Sequence, residues 1–237
     1  MNVLVTGASR GIGAAVARRF AAPGVRIAIN YLRNEEAANA VATDVAARGG
    51  EAILAQGDVR SEEDLKRIAA VFDDGLDVLV HNAAVGVLKP FRSIRAPQWD
   101  LTLESSLRPF WLLTRHARLR PGASVIGISS LGSRQYIPGY AAMGAAKAGM
   151  EALTRQLAVE LAPHVRVNTV CGGLVRTDAL GYFPDGAAMV AAAERHTPLG
   201  RVGEADDLAG VVHLLCDPRA AWITGQVIVV DGGLSLV

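Results

Sequence analysis

Tyrosine and lysine stand seven residues apart in Tyr140-Ala-Ala-Met143-Gly-Ala-Ala-Lys147, inside an alanine-rich stretch of helical period. At 3.6 residues per turn, positions seven apart share one helix face, about 20° off alignment. A phenol and an ammonium on one face can stabilise a developing oxyanion, the phenol by hydrogen bonding and the cation by its field. Lysine is also rare here. Of 24 Lys and Arg residues only Lys66, Lys89 and Lys147 are lysine, so Lys147 in this setting points to chemistry. Just upstream, Ile128-Ser129-Ser130 closes an apolar run. Ser130 is either a direct partner of the phenol or an ordinary cap. Two other readings compete: Tyr136 supplies the phenol from the preceding loop, or Tyr140 is a packed aromatic and Lys147 a solvated charge.

A second group of residues points to a nucleotide. Thr6-Gly7-Ala8-Ser9-Arg10-Gly11-Ile12-Gly13 lies between an apolar run and a helical period. Its glycines permit a tight turn and let a pyrophosphate reach backbone amides at a helix N-terminus, where the dipole favours anions. Gly7, Ser9, Arg10, Gly11, Ile12 and Gly13 are the candidate contacts. NAD sites usually place an acid at the end of the second strand for the ribose 2′-hydroxyl. Here that stretch reads Ile29-Asn30-Tyr31-Leu32-Arg33, without an acid. Arg10 and Arg33 can instead clamp a 2′-phosphate through charge-assisted hydrogen bonds. NADP is therefore expected over NAD, against the alternative of two solvated surface arginines.

The elements that must position these residues alternate. Apolar runs at 2–6, 26–30, 52–55, 77–81, 124–129, 165–170 and 226–230 predict strands. Helical periods at 11–22, 35–48, 62–72, 98–118, 139–161 and 204–215 separate them. Ser61-Glu62-Glu63-Asp64 has the spacing of a capping box. This order predicts an α/β fold: one Rossmann-type, doubly wound parallel sheet of seven strands, helices on both faces, spanning 1–237 as a single domain. Residues 181–203, with Pro184, Asp185, Gly186, Pro198 and Gly200, read as a long substrate-covering loop, with Tyr182 and Phe183 over the substrate.

Composition sets the outer bounds. A chain of 237 residues that is 51% hydrophobic can bury a large core, which excludes disorder. A net charge of +1 and 5% aromatics argue against nucleic acid or anionic lipid as partners. No uncharged apolar stretch is long enough for a membrane span: Lys147, Glu151, Arg155 and Glu160 interrupt the best candidate, 140–161. Cys171 and Cys216 have neither disulfide-framework nor zinc spacing, and His81, His116, His164, His196 and His213 share no ligand spacing, so no metal is expected. A cytoplasmic location follows as the expectation.

The motifs together resemble the short-chain dehydrogenases/reductases, along essentially the whole chain. Thr-Gly-x3-Gly-x-Gly is joined by Asp58-Val59 after the third strand, which in that family meets the adenine. His81-Asn82-Ala83-Ala84 resembles its Asn-Ala-Gly motif, Ser130 falls at its catalytic serine, and Gly225-Gln226-Val227 and Val230-Asp231-Gly232-Gly233 match its last strand. The resemblance implies that Asp58, Val59, Asn82, Ala83, Lys147 and Thr177 also touch the cofactor. It further implies a homotetramer, or a homodimer, built on the long helices.

The departures carry the finer reading. The family pattern is Tyr-x3-Lys, yet Met143 occupies that tyrosine position. Tyr140 gives Tyr-x6-Lys, which is similar to bacterial enoyl-acyl-carrier-protein reductases. Ser129-Ser130-Leu131-Gly132-Ser133 and Cys171 through Leu174 with Thr177 through Leu180 look most like their type III branch. Ser106 replaces the family's helix asparagine, and Gly172-Gly173 replaces its Pro-Gly. Placing the phenol three residues earlier moves its anchor by about 4.5 Å along a helix, suited to a thioester oxygen beyond the hydride-accepting carbon. The resemblance thus implies an NADPH-dependent reductase of a small or carrier-bound enoyl thioester. Tyr140 would stabilise the enolate, while Lys147 holds the nicotinamide ribose and eases charge on the phenol. The alternatives are a carbonyl reductase of secondary metabolism and a catalytically silent NADP-binding regulator.

Overall fold

Asn2–Val5 (β1) is a short run with every residue buried, and its side chains alternate between two cores: Val3 and Val5 enter one, Leu4 the other. The computed structural model describes residues 1–182 and 186–237. The alternation recurs along β2 (Arg26–Tyr31), β3 (Glu51–Gln56), β4 (Leu76–His81), β5 (Leu119–Ser130) and β6 (Val165–Gly172). Val175–Arg176 (β7) and Gly203–Glu204 (β8) form a small separate pair, and β9 (Val227–Val230) completes the main sheet. That sheet is wholly parallel, in the order β3-β2-β1-β4-β5-β6-β9. This is the expected Rossmann-type α/β fold. The order reverses between β1 and β4, so the crevice beyond their C-terminal ends is where such sheets bind ligands.

Helices cover both faces. In chain order they are α1 (Gly11–Phe20), α2 (Glu35–Ala47), α3 (Glu62–Ala69), α4 (Ala96–Ser106), α5 (Arg108–His116), α6 (Ala141–Glu160), α7 (Gly186–His196) and α8 (Ala205–Cys216). One core joins α1, α2 and α8 to Val3, Ile27, Val78 and Ile126. The other joins α3, α5 and α6 to Leu4, Leu79, Val125 and Val167. A fully buried leucine such as Leu79 costs about 2–5 kcal/mol to truncate to alanine. Ser61 caps α3 as its spacing predicts, its Oγ accepting from the Asp64 amide at 3.2 Å. Asp64 does not reciprocate; its carboxylate accepts from the Asp58 amide at 2.8 Å and so holds the end of the β3–α3 connection.

Four expectations need correction. The helical period 98–118 is two helices, because Pro109 has no N–H for the Ser105 carbonyl and its ring crowds that turn. Leu107 takes the break, and the Phe110 amide donates to Leu107 O at 3.1 Å, which releases the Ser106 carbonyl from its helical partner. Helix α6 starts at Ala141 and not at 139: Gly139 has φ +74°, and Tyr140 is the residue that caps the helix. The segment 181–203 is not a simple loop, since it contains α7 and the first residue of β8. Phe183 and the side chain of Tyr182, expected over the substrate, lie outside the described residues. Finally, β5 begins at Leu119 and not at 124, continuing through Pro121-Gly122.

Candidate functional site

The glycine turn has the form an anionic group needs. Gly7 and Gly11 hold φ of +60° and +56°, which residues with a Cβ rarely adopt. A methyl at Gly13 would lie 2.6 Å from Asn82 Nδ2, so only hydrogen fits where α1 meets the turn. No side chain caps α1 and no acid occupies its first turn, leaving its first amides for a ligand. Thr177 stands over this helix end, its Cγ2 3.7 Å from where a Gly11 methyl would be. Residues 7–13 with Thr177 therefore fit the pyrophosphate of a dinucleotide.

Around that turn the polar groups lock three elements together. Asn82 Nδ2 donates to Thr6 O and Gly7 O at 3.1 and 3.0 Å. Thr6 Oγ1 accepts from the Asn82 and Ala83 amides and lies 3.1 Å from His81 Nδ1. His81 Nε2 lies 3.2 Å from the Ser106 carbonyl that the α4–α5 break released. A carbonyl only accepts, so Nε2 carries the proton and Nδ1 accepts from Thr6. Burial, with the nearby Lys147 charge, pushes His81 down to about 3, and the ring stays neutral.

Near the end of β2, Asn30 turns inward. It accepts from the Gly7 amide at 3.2 Å and donates to Ala55 O and Gly57 O, so the strand end without an acid is also a brace for the glycine turn. Arg33 is exposed and close enough to Asp58 to help hold that carboxyl below its ordinary value, behind the larger effect of Arg60. Arg10 reaches the other way, to Asp178 at 3.9 Å. Val59 leans on the second core.

Tyr140 and Lys147 lie by the C-terminal ends of β5 and β6. The Tyr140 hydroxyl is hydrogen-bonded to Ser130, and its ring lies over Gly132, where any methyl would be closer than 3.0 Å. Burial raises the phenol above its ordinary value, offset in part by Ser130. Lys147 is only 5% exposed, donates to Ile128 O at 2.7 Å, and is pushed down to about 8 by burial. Cys171, close by, acts in the same direction as burial on the phenol. Tyr136, the alternative phenol, is 89% exposed. The slot of the absent tyrosine is filled: Met143 is 8% exposed, with its thioether 3.9 Å from Ser106 Oγ and so close to Gly86 that no methyl fits there.

The sequence reading missed Glu151. It is 6% exposed and accepts from Ser129 Oγ at 2.7 Å, Ser133 Oγ at 2.6 Å and Arg134 Nε at 3.2 Å. The signal was present: Glu151 follows Lys147 by four, on the same helix face. Cys171, also buried here, is raised to about 11 by that burial. Among the described residues, no group of three or more His, Cys, Asp or Glu could hold a metal, and no helix is long and apolar enough to cross a membrane.

Comparison with known proteins bears on this arrangement. A family model described as enoyl-(acyl carrier protein) reductase matches residues 7–235. The chain is 35% identical to a 1-cyclohexenylcarbonyl-CoA reductase from Streptomyces collinus, covering 99% of this chain and 86% of that protein. It is 34% identical to a 3-oxoacyl-[acyl-carrier-protein] reductase from Synechocystis sp., covering 98% and 96%. Among solved structures, a short chain dehydrogenase from Burkholderia cenocepacia in complex with NADP superposes with a TM-score of 0.89 at 33% identity, covering 98% and 97%.

Proposed function

This chain belongs to the short-chain dehydrogenase/reductase family and is an oxidoreductase of it, and from that premise we propose that it reduces the 2,3-double bond of an enoyl thioester with NADPH. One observation carries the reading: the tyrosine slot of the family holds a packed methionine, while the buried phenol beside Ser130 is Tyr140. The cyclohexenylcarbonyl thioester in the name of the Streptomyces relative is a conjugated enoyl thioester, which favours the same chemistry. A nicotinamide cofactor bound at the glycine turn supplies the hydride. Residues 7–13 and Thr177 hold its pyrophosphate, and Arg33 with Arg10 offers cations for a 2′-phosphate. Lys147, protonated at neutral pH, holds the ribose. Tyr140, like any phenol, keeps its proton at neutral pH, and burial favours that form further. Its hydroxyl therefore donates to the thioester oxygen on which charge accumulates, oriented by Ser130.

Reduction of a 3-oxoacyl thioester is the second reading, favoured by the Synechocystis relative at nearly the same identity. The test is NADPH oxidation with crotonyl-coenzyme A against acetoacetyl-coenzyme A, each with Tyr140→Phe as the companion. Turnover of the crotonyl thioester that falls by roughly 10²-fold or more in Tyr140→Phe supports enoyl reduction. Turnover of acetoacetyl-coenzyme A alone supports the second reading. Turnover of neither removes both and leaves a silent NADP-binding protein.

A further inference from the structure

Burying a carboxylate is unfavourable unless hydrogen bonds and a counter-charge compensate it. Glu151 has both, and the sequence positions of its partners are informative. Ser129 is the residue before Ser130, whereas Ser133 and Arg134 close the turn that follows. The carboxylate thus ties together the two ends of a six-residue segment whose middle contains Ser130 and Gly132. Those two residues are what Tyr140 touches: Ser130 bonds its hydroxyl and Gly132 lies beneath its ring. The turn is also pressed against the start of α6, since Gly132 O lies 2.6 Å from where a methyl on Gly144 would be. Glu151 itself sits two turns further along that rigid helix. A single helix therefore sets both the lysine and, through the carboxylate, the floor under the phenol.

We propose that Glu151 is a positioning residue for Tyr140, its carboxylate clamping Ser129, Ser133 and Arg134 so that Ser130 and Gly132 hold the phenol in place. The proposal rests on the reading of Tyr140 as the proton-handling group. It assigns Glu151 no contact with substrate or cofactor.

The test is a double-mutant cycle on kcat, with whichever of crotonyl- or acetoacetyl-coenzyme A the parent turns over. Glu151→Ala is expected to lower kcat by about tenfold, through a displaced phenol, with the KM for NADPH within about twofold because no cofactor contact is lost. Glu151→Gln keeps one carbonyl oxygen that can accept from both serines, and it should restore kcat to within about threefold of the parent. In the Tyr140→Phe background Glu151→Ala should cost less than about twofold more, because residues acting through one group are non-additive. Equal losses in both backgrounds would overturn the proposal, as would an unchanged kcat in Glu151→Ala. If Glu151→Ala does not fold, Ser133→Ala replaces it, with a several-fold loss expected that vanishes in Tyr140→Phe. Failure of the underlying reading looks different: Tyr140→Phe then keeps parental kcat, or the parent turns over neither thioester, and the proposal falls with it.

Discussion

Gly132→Ala puts the placement of Tyr140 to a severe test. Gly132 has an ordinary backbone conformation, so alanine brings no backbone strain, and the whole effect comes from the added methyl. That methyl would lie closer than 3.0 Å to the Tyr140 ring and 3.2 Å from Ile137 Cδ1. Carbon atoms pack at about 3.5–4.0 Å, so the ring edge must retreat by at least about 0.5 Å. The hydroxyl is the far end of the ring from its pivot and moves further, by about 1 Å, a misplacement that costs on the order of 10²-fold in rate. Overpacking of this kind costs about 1–3 kcal/mol in stability, well short of unfolding a domain of this size. The assay is kcat by NADPH oxidation beside a thermal melt and a cofactor fluorescence titration. A folded Gly132→Ala protein that binds NADPH normally and retains parental kcat would show that the phenol over Gly132 takes no part in the reaction.

Three further outcomes follow from the same geometry. Arg33→Ala should narrow the preference for NADPH over NADH by roughly ten- to 150-fold, the value of a charge-assisted contact of about 1.5–3 kcal/mol; equal kcat/KM for both cofactors in the parent would refute the clamp. His81 titrates near its ordinary 6.5 when unfolded but at about 3 when folded, so below pH 6.5 the unfolded chain binds a proton the folded one does not, and stability is lost as pH falls. At pH 5.5 that loss is about 1.4 kcal/mol, and urea unfolding of His81→Asn at pH 7.5 and 5.5 should lack it; equal losses in both proteins would contradict a buried neutral ring. Met143→Tyr with Tyr140→Phe moves the phenol one turn along α6 into a slot bounded by Gly86 and Ser106; enoyl reduction should collapse and weak ketone reduction appear, and parental enoyl turnover in a folded double variant would separate phenol position from reaction type.

The strands were legible because parallel, doubly covered strands are short β-branched runs, as Val78-Leu79-Val80 and Val165 through Val170 illustrate. The helix starts at 11, 35 and 62 were legible too, but helix breaks were not. The split at Leu107 depends on one proline in an otherwise continuous helical period, and α7 hides among residues whose turn propensities dominate a local reading. The glycine turn was readable because its conformation demands glycine at fixed places. For Glu151 only the spacing of four from Lys147 was visible; a glutamate on a helix normally faces water, and only the fold brings Ser129, Ser133 and Arg134 around it. Asn30 shows the converse. Its lack of charge was visible, while its second task as a brace for Gly7 needed the adjacent strand β3 in place.

Tyr140 caps α6 from outside, while Lys147 lies in the helix body. The two groups are therefore held by different parts of the chain. The lysine's height is fixed by helix packing against β5 and β6, and the phenol's by a connection of about ten residues running from Ser130 to Gly139. That segment is not independent of the helix, because Glu151 ties its Ser133 and Arg134 back to α6. A change in the connection that moved Tyr140 would have to keep Ser129, Ser133 and Arg134 within reach of Glu151, or lose the tie to the helix that carries Lys147.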